Sequence, residues 1–184
     1  MILLDVEATG LIPSVMAPLA QHPHLMELFA LKLDDATLEE RGTLSFQCRP
    51  PISIPAEVTK ITSLTDADLK EQAPFAAHYW ALINFFLGEK MVVAHNAPYD
   101  LGVLAAELGR LDKLKNFPWP PVHVCTVELT QHLTGKYLKL TELYEHLLGR
   151  PLAQTHRADA DVRALEEVVR ALWAQGMWVT TPPS

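Results

Sequence analysis

The amino-acid sequence predicts an α/β protein built on a mixed sheet, and three observations carry that expectation. Three apolar runs near the N-terminus are joined by a loop and a short polar turn, the pattern of an antiparallel meander. After Pro74, apolar segments of helical period alternate with short β-rich runs, as where parallel strands are linked by helices. The chain has 184 residues and 49% hydrophobic composition, enough to bury a sizeable core within the usual range of one domain.

The first strand is the apolar run Ile2-Leu3-Leu4-Asp5-Val6-Glu7-Ala8-Thr9-Gly10. Side chains alternate along a strand, so Ile2, Leu4 and Val6 face one way and Leu3, Asp5 and Glu7 the other. Two carboxylates then share one face of a strand apolar enough to be central. Acids placed so lose hydration and repel each other, which a divalent cation between them relieves. For these residues alone, an antiparallel strand with its acids turned to water is the other reading.

Leu11 to His24 contains Pro13, Pro18 and Pro23 without a steady period and reads as a long loop. Leu25 to Leu33 and Thr43 to Arg49 are two further strands around the turn from Asp34-Asp35 to Arg41-Gly42, and Pro50-Pro51 ends the run. Ile52 to Ala73 is expected as a polar connection. Pro74 then opens a helix whose Phe75, Tyr79, Leu82, Ile83 and Phe86 form an apolar stripe, closed by Gly88. Met91 to His95 is the fourth strand, and Asn96 and Pro98 start a helix through Leu101, Leu104 and Leu108 to Gly109. The rigid loop Asn116 to Pro121 precedes a fifth strand, Val122 to Cys125. Helices are expected over Thr126 to His132, Thr141 to Leu148 and about Ala158 to Ala174, with a frayed tail over 179–184.

Bulk properties narrow the function. No apolar stretch approaches the roughly 20 residues that span a bilayer, and the N-terminus lacks a basic region ahead of an apolar one, so the expected location is cytoplasmic with no membrane partner. Cys48 and Cys125 are expected as reduced thiols rather than a disulfide framework. A net charge of −7 excludes a general nucleic-acid binder held by a basic surface. Any contact with phosphates then calls for local neutralisation by metal ions.

Two later segments add acids. Asp100 falls in the first helical turn after the fourth strand, where an acid favours the helix dipole and where open α/β sheets also gather their ligands. In the last helix Asp161, Leu165, Val168 and Leu172 are spaced by four, three and four residues, which places Asp161 on the buried stripe. Asp159 lies about 200° around the helix from it. A buried lone Asp costs several kcal/mol unless paired or metal-bound, and within the helix from Ala158 onward no Lys or Arg shares its stripe within a turn. His156, just before this helix, reads equally as a surface residue.

Together, Asp5-Val6-Glu7-Ala8-Thr9-Gly10, His95-Asn96-Ala97-Pro98-Tyr99-Asp100 and His156-Arg157-Ala158-Asp159-Ala160-Asp161 closely resemble the three motifs of the DEDD exonucleases, histidine subclass (DEDDh). Their order, separations and intervening helices fit over nearly the whole chain. Pro55 to Pro74, with Ile61-Thr62-Ser63-Leu64-Thr65-Asp66, is similar to the connecting segment of DnaQ-like members such as bacterial proofreading subunits and PolC exonuclease domains. Ala8 stands where threonine is common, and Thr62-Ser63 where His-Gly or Thr-Gly is frequent.

The resemblance implies a ribonuclease H-like fold, a five-stranded mixed sheet flanked by helices, in a single exonuclease domain over residues 1–178. It implies two Mg²⁺ ions, replaceable by Mn²⁺: Asp5, Glu7 and Asp161 hold one, Asp5 shares the second, and Asp100 holds that second ion through water. His156 is the implied general base. The Ala8 and Thr9 backbone receives the terminal 3′-OH, and His95, Asn96 and Tyr99 line the nucleotide pocket. The implied activity is 3′-to-5′ hydrolysis of single-stranded or frayed DNA ends to nucleoside 5′-monophosphates. Two alternatives accompany it: trimming of RNA or short oligoribonucleotides, and a proofreading or interaction subunit with a DNA polymerase as partner.

Overall fold

In the computed structural model, which describes residues 1–14, 16–153 and 156–178, the strand Ile2–Ala8 (β1) is the centre of a five-stranded sheet. Leu25–Leu33 (β2) pairs antiparallel with β1, and Glu40–Gln47 (β3) antiparallel with β2. On the other side Met91–Ala94 (β4) runs parallel to β1, and Val122–Cys125 (β5) parallel to β4. The order β3-β2-β1-β4-β5 is the mixed sheet that the sequence predicts. The expected tail over 179–184 lies outside the described residues.

Seven α-helices accompany the sheet among the described residues: α1 (Ala56–Thr62), α2 (Asp66–Leu69), α3 (Tyr79–Phe86), α4 (Ala97–Arg110), α5 (Thr126–Thr134), α6 (Leu140–Leu148) and α7 (Ala158–Ala174). β1 is buried on both faces, which rules out water-facing acids on an exposed strand. Ile2, Leu4, Val6 and Ala8 pack with Tyr79, Leu82 and Phe86 of α3 and Val103, Leu104 and Leu108 of α4. On the opposite face Leu3 packs with Ala158, Val162, Leu165 and Val169 of α7, against whose far side Leu140, Leu143 and Tyr144 of α6 are set.

The structure corrects three expectations. Ile52 to Ala73 is more than a connection: it holds α1 and α2, too short to show a 3.6-residue period. Thr65 and Asp68 form a reciprocal capping box at α2, and Ile54, Leu64 and Leu69 bury a small core with Met26. The helix expected from Pro74 begins as a 3₁₀ turn over Phe75–His78 before α3. β3 starts at Glu40 rather than Thr43, because Glu40 and Gly42 pair with Leu33 and Lys32 across a register shift, while the Glu40 and Arg41 side chains face solvent. Cys48 is a buried free thiol and Cys125 a half-buried one. Among the described residues no helix is long and apolar enough to cross a membrane.

Candidate active site

β1 and β4 pair at Ile2 with Val92 and Leu3 with Val93. Further along, the Val6 amide donates not to a neighbouring strand but to Asp100 Oδ1, at 3.1 Å. A cleft opens there at the carboxyl ends of the two central parallel strands, where the order of the sheet switches direction. It holds a cavity of about 520 Å³ whose lining includes Asp5, Glu7, His95, Asn96, Tyr99, Asp100, His156 and Asp161.

Each acid reaches the cleft for a local reason. Asp5 and Glu7 continue the Leu3 face of β1 toward the α7 terminus. Asp161 is on the stripe that buries Leu165, Val168 and Leu172 and is itself 5% exposed, whereas Asp159 faces solvent. Asp100 is 2% exposed in the first turn of α4. Ligand atoms of Asp5, Glu7 and Asp161 lie within 4.8 Å of one another, and Asp100 lies in the same cavity outside that trio.

Burial, and then the neighbouring acids, raise these carboxyls. The Asp5 carboxyl is held well above the usual carboxylate range by burial first, then by Asp100, Glu7 and Asp161. Glu7 is pushed from 4.5 up to about 8 by burial, then by Asp161, Glu27 and Asp100, against the pull of Arg157. Asp100 is also raised well above its ordinary value by burial, although the Val6 amide opposes the shift. Among the described residues, Lys139 is the single Lys or Arg lining the cavity. A trio of carboxylate oxygens at this spacing, from one buried and two half-buried acids that repel one another, fits a hard divalent cation, which prefers oxygen donors and removes the repulsion.

The other predicted residues divide into two groups. His95, Asn96, Tyr99 and His156 all line the cavity. The His95 ring is lowered to about 4 by burial, so it is neutral at pH 7, with Nδ1 2.9 Å from Thr126 Oγ1. Tyr99 donates its hydroxyl to the Gly10 carbonyl at 2.9 Å. His156 is exposed and has φ +50, a left-handed backbone rare outside glycine that concentrates at functional sites. Ala8 and Thr9 lie outside the lining, 4% and 5% exposed. The Thr9 amide donates to the His24 carbonyl and Thr9 Oγ1 accepts from the His24 amide, both at 2.9 Å, so that amide is committed to closing the loop.

Sequence reasoning missed three residues here. Tyr137 and Lys139 line the cavity from the segment before α6, where the loose grouping of Lys136 and Lys139 reads from sequence as a solvated face. Glu27, the one acid of β2, stands opposite Glu7. No pattern within β2 signals it, because its pairing with Glu7 exists only once the two strands are in register. Unlike its neighbours, Glu27 has its carboxyl held below the usual value, because hydrogen bonds from Arg157, Gln47 and Ala158 outweigh its burial.

Comparisons with known proteins show the family. The family model described as "Exonuclease" matches residues 2–169. The chain is 30% identical over 172 residues to a PolC-type DNA polymerase III of Clostridium perfringens, covering 92% of this chain and 11% of the relative. It is 31% identical over 163 residues to the 3′-5′ exonuclease DinG of Bacillus subtilis, covering 87% of this chain and 16% of the relative. It therefore spans only a small part of those relatives. Among solved structures, the nuclease domain of 3′hExo, a DEDDh family member bound to rAMP, superposes with a TM-score of 0.76 at 16% identity, covering 99% of this chain and 96% of that one. The sheet order is thus that of a ribonuclease H-like nuclease, and with the match running through all the elements that supply the acids, the chain belongs to the exonuclease family.

Proposed function

We propose that the chain is a Mg²⁺-dependent exonuclease that removes nucleoside 5′-monophosphates from the 3′ ends of single-stranded or frayed DNA. The observation that carries this reading is the single cavity that gathers Asp5, Glu7, Asp100 and Asp161 with His156 at its wall. The PolC-type and DinG relatives, one named as a DNA polymerase and the other as a 3′-5′ exonuclease, support DNA and the 3′ direction.

Asp5, Glu7 and Asp161 would hold the ions, with Asp100 completing the set and Mn²⁺ able to substitute. Bound there, two divalent cations supply charge to activate a water and to stabilise the departing 3′ oxygen. The chain's own groups do the rest. His156, exposed at the wall, takes the proton of the attacking water. Neutral His95, Asn96 and Tyr99 bound the pocket for the terminal nucleotide. Tyr137, 67% exposed, offers a face on which a base stacks, and Lys139 a cation for a phosphate. Such stacking is tolerant of sequence, as a general 3′-end nuclease requires.

The rAMP-bound structural neighbour favours a second reading, trimming of RNA or short oligoribonucleotides, since a pocket's tolerance of a 2′-OH depends on its shape and not on the acids. Attachment to a DNA polymerase, for proofreading, is a further proposal that the PolC-type relatives support. Digestion of 5′-labelled and 3′-labelled DNA and RNA oligonucleotides of several lengths, with Mg²⁺ or with EDTA, tests these readings. The expected result is stepwise release of 5′-monophosphates from DNA 3′ ends with Mg²⁺ and none with EDTA. Internal cleavage, or equal activity in EDTA, would overturn it.

A further inference from the structure

Glu27 occupies an unusual place for an acid. It lies between Glu7 on β1 and Gln47 on β3 in one row across the sheet, and it is 6% exposed. Like charges directly opposite one another on antiparallel strands destabilise the pair, so a buried glutamate here needs its own neutralising partner. Arg157 provides it as a fork, donating from Nε to Oε2 at 2.9 Å and from Nη2 to Oε1 at 2.6 Å. Gln47 Nε2 donates to Oε1 at 2.9 Å, and the Ala158 amide to Oε2 at 3.2 Å.

That last bond gives the arrangement its meaning. Ala158 is the first residue of α7, and the leading amides of a helix have no partner within it. Arg157 at the N-cap makes no side-chain capping bond, so a carboxylate from the neighbouring strand caps the helix instead, at the end where the helix dipole favours negative charge. The same turn carries the site. His156 immediately precedes Arg157 with its left-handed backbone, and the Asp161 amide donates to the Arg157 carbonyl at 3.0 Å.

We infer that Glu27 is a positioning residue: through Arg157 and the Ala158 amide it fixes the start of α7, and with it the placement of His156 and Asp161 against β1. This role presupposes the exonuclease activity proposed above. With its oxygens already engaged by Arg157, Gln47 and Ala158, Glu27 is distinguished from the acids suited to a cation. A shift of about 1 Å at reacting groups costs on the order of 10²-fold in rate, and removing a partner that orients a site typically costs 10- to 100-fold.

The test compares wild type with Glu27→Ala, Glu27→Gln and Arg157→Lys at a temperature where circular dichroism shows every protein fully folded. Two quantities are read: kcat and KM on a short DNA oligonucleotide with Mg²⁺, and amide hydrogen exchange in EDTA. Glu27→Ala is expected to lower kcat by about 10- to 100-fold with KM within about threefold of wild type. Exchange of the amides at 158–162 should accelerate while that of β1 and β2 stays unchanged. Glu27→Gln, which keeps an oxygen for the Ala158 amide, should recover part of both losses. A purely structural ion pair would instead leave kcat of the folded enzyme at the wild-type value, and that result, or unchanged exchange at 158–162, overturns the inference. If Glu27→Ala does not fold, Arg157→Lys breaks the fork and carries the same expectations. A wild type that cleaves no oligonucleotide would sink the exonuclease reading alone, because the exchange comparison still decides whether Glu27 holds α7.

Discussion

Replacing Glu7 by Gln should make the metal-free protein more stable, and only above a certain pH. The Glu7 carboxyl is raised from 4.5 to about 8, by burial and then by Asp161, Glu27 and Asp100. A folded-state value above the unfolded one means that the stability linked to this group is fully present below pH 4.5 and is lost as pH rises to about 8. At one full ionisation that rise corresponds to about 5 kcal/mol. It is an upper bound on what the substitution recovers, because Asp5 and Asp100 share the repulsion and relieve part of it by holding protons themselves. Glutamine keeps the shape and discards the charge, so the expected gain is about 1 to 3 kcal/mol at pH 8 and about zero at pH 4.5.

Urea unfolding in EDTA across this range, followed by tryptophan fluorescence, measures it. Excess Mg²⁺ should reverse the ranking at pH 8, since a cation that binds the folded state stabilises wild type more than a variant missing one of its ligands. A Glu7→Gln protein less stable than wild type in EDTA at pH 8, or one whose advantage is the same at pH 4.5, would refute the view that these acids repel one another in the folded chain.

Asp161→Ala should remove nearly all hydrolysis and Asp159→Ala little, since one acid faces the cavity and the other solvent; single-turnover cleavage showing the reverse would overturn the assignment. Mn²⁺ should raise the melting temperature of wild type and raise it less in Asp5→Asn, and equal shifts by differential scanning fluorimetry would place the ion elsewhere. His156→Ala should lower turnover by roughly 10² to 10⁴ fold while isothermal titration finds Mn²⁺ affinity nearly unchanged; parallel loss of both would make His156 a ligand instead. Lys139→Ala should raise KM, leave kcat nearly intact and reduce the salt slope by about one; an unchanged slope would mean that Lys139 meets no phosphate.

Residues whose partners are near in sequence were readable without coordinates. The alternation of Leu3, Asp5 and Glu7, and the spacing of Asp161 with Leu165, Val168 and Leu172, each follow from the geometry of one element, and both placements agree with the structure. α1 and α2 were not readable, because elements of seven and four residues leave no period; α2 is held by its capping box and by the small core around Met26. Thr9 shows the same limit at the site. Its amide is taken by His24 across a loop whose path no local pattern specifies. Glu27 acquires its role only when β2 is set in register with β1, and Lys139 only when α6 packs on α7.

The mixed order of the sheet explains why these acids meet. Antiparallel β2 places Glu27 beside Glu7, parallel β4 ends where α4 presents Asp100 to the Val6 amide, and α7 crosses the remaining side with Asp161. Three elements, β2, α4 and α7, thus converge on one end of β1, and each brings negative charge into a region of low hydration. The fold tolerates this in two different ways. Around Glu27 the charge is matched inside the protein by Arg157, Gln47 and a helix terminus, a fixed arrangement that holds whether or not a cation is bound. Among the described residues no arginine fork meets Asp5, Glu7 or Asp100, although Asp100 accepts from the Val6 amide, and these carboxyls are held well above their ordinary values. Adjacent acids therefore divide by their partners: the matched one locates the helix, and the unmatched ones keep their oxygens for what enters the cavity.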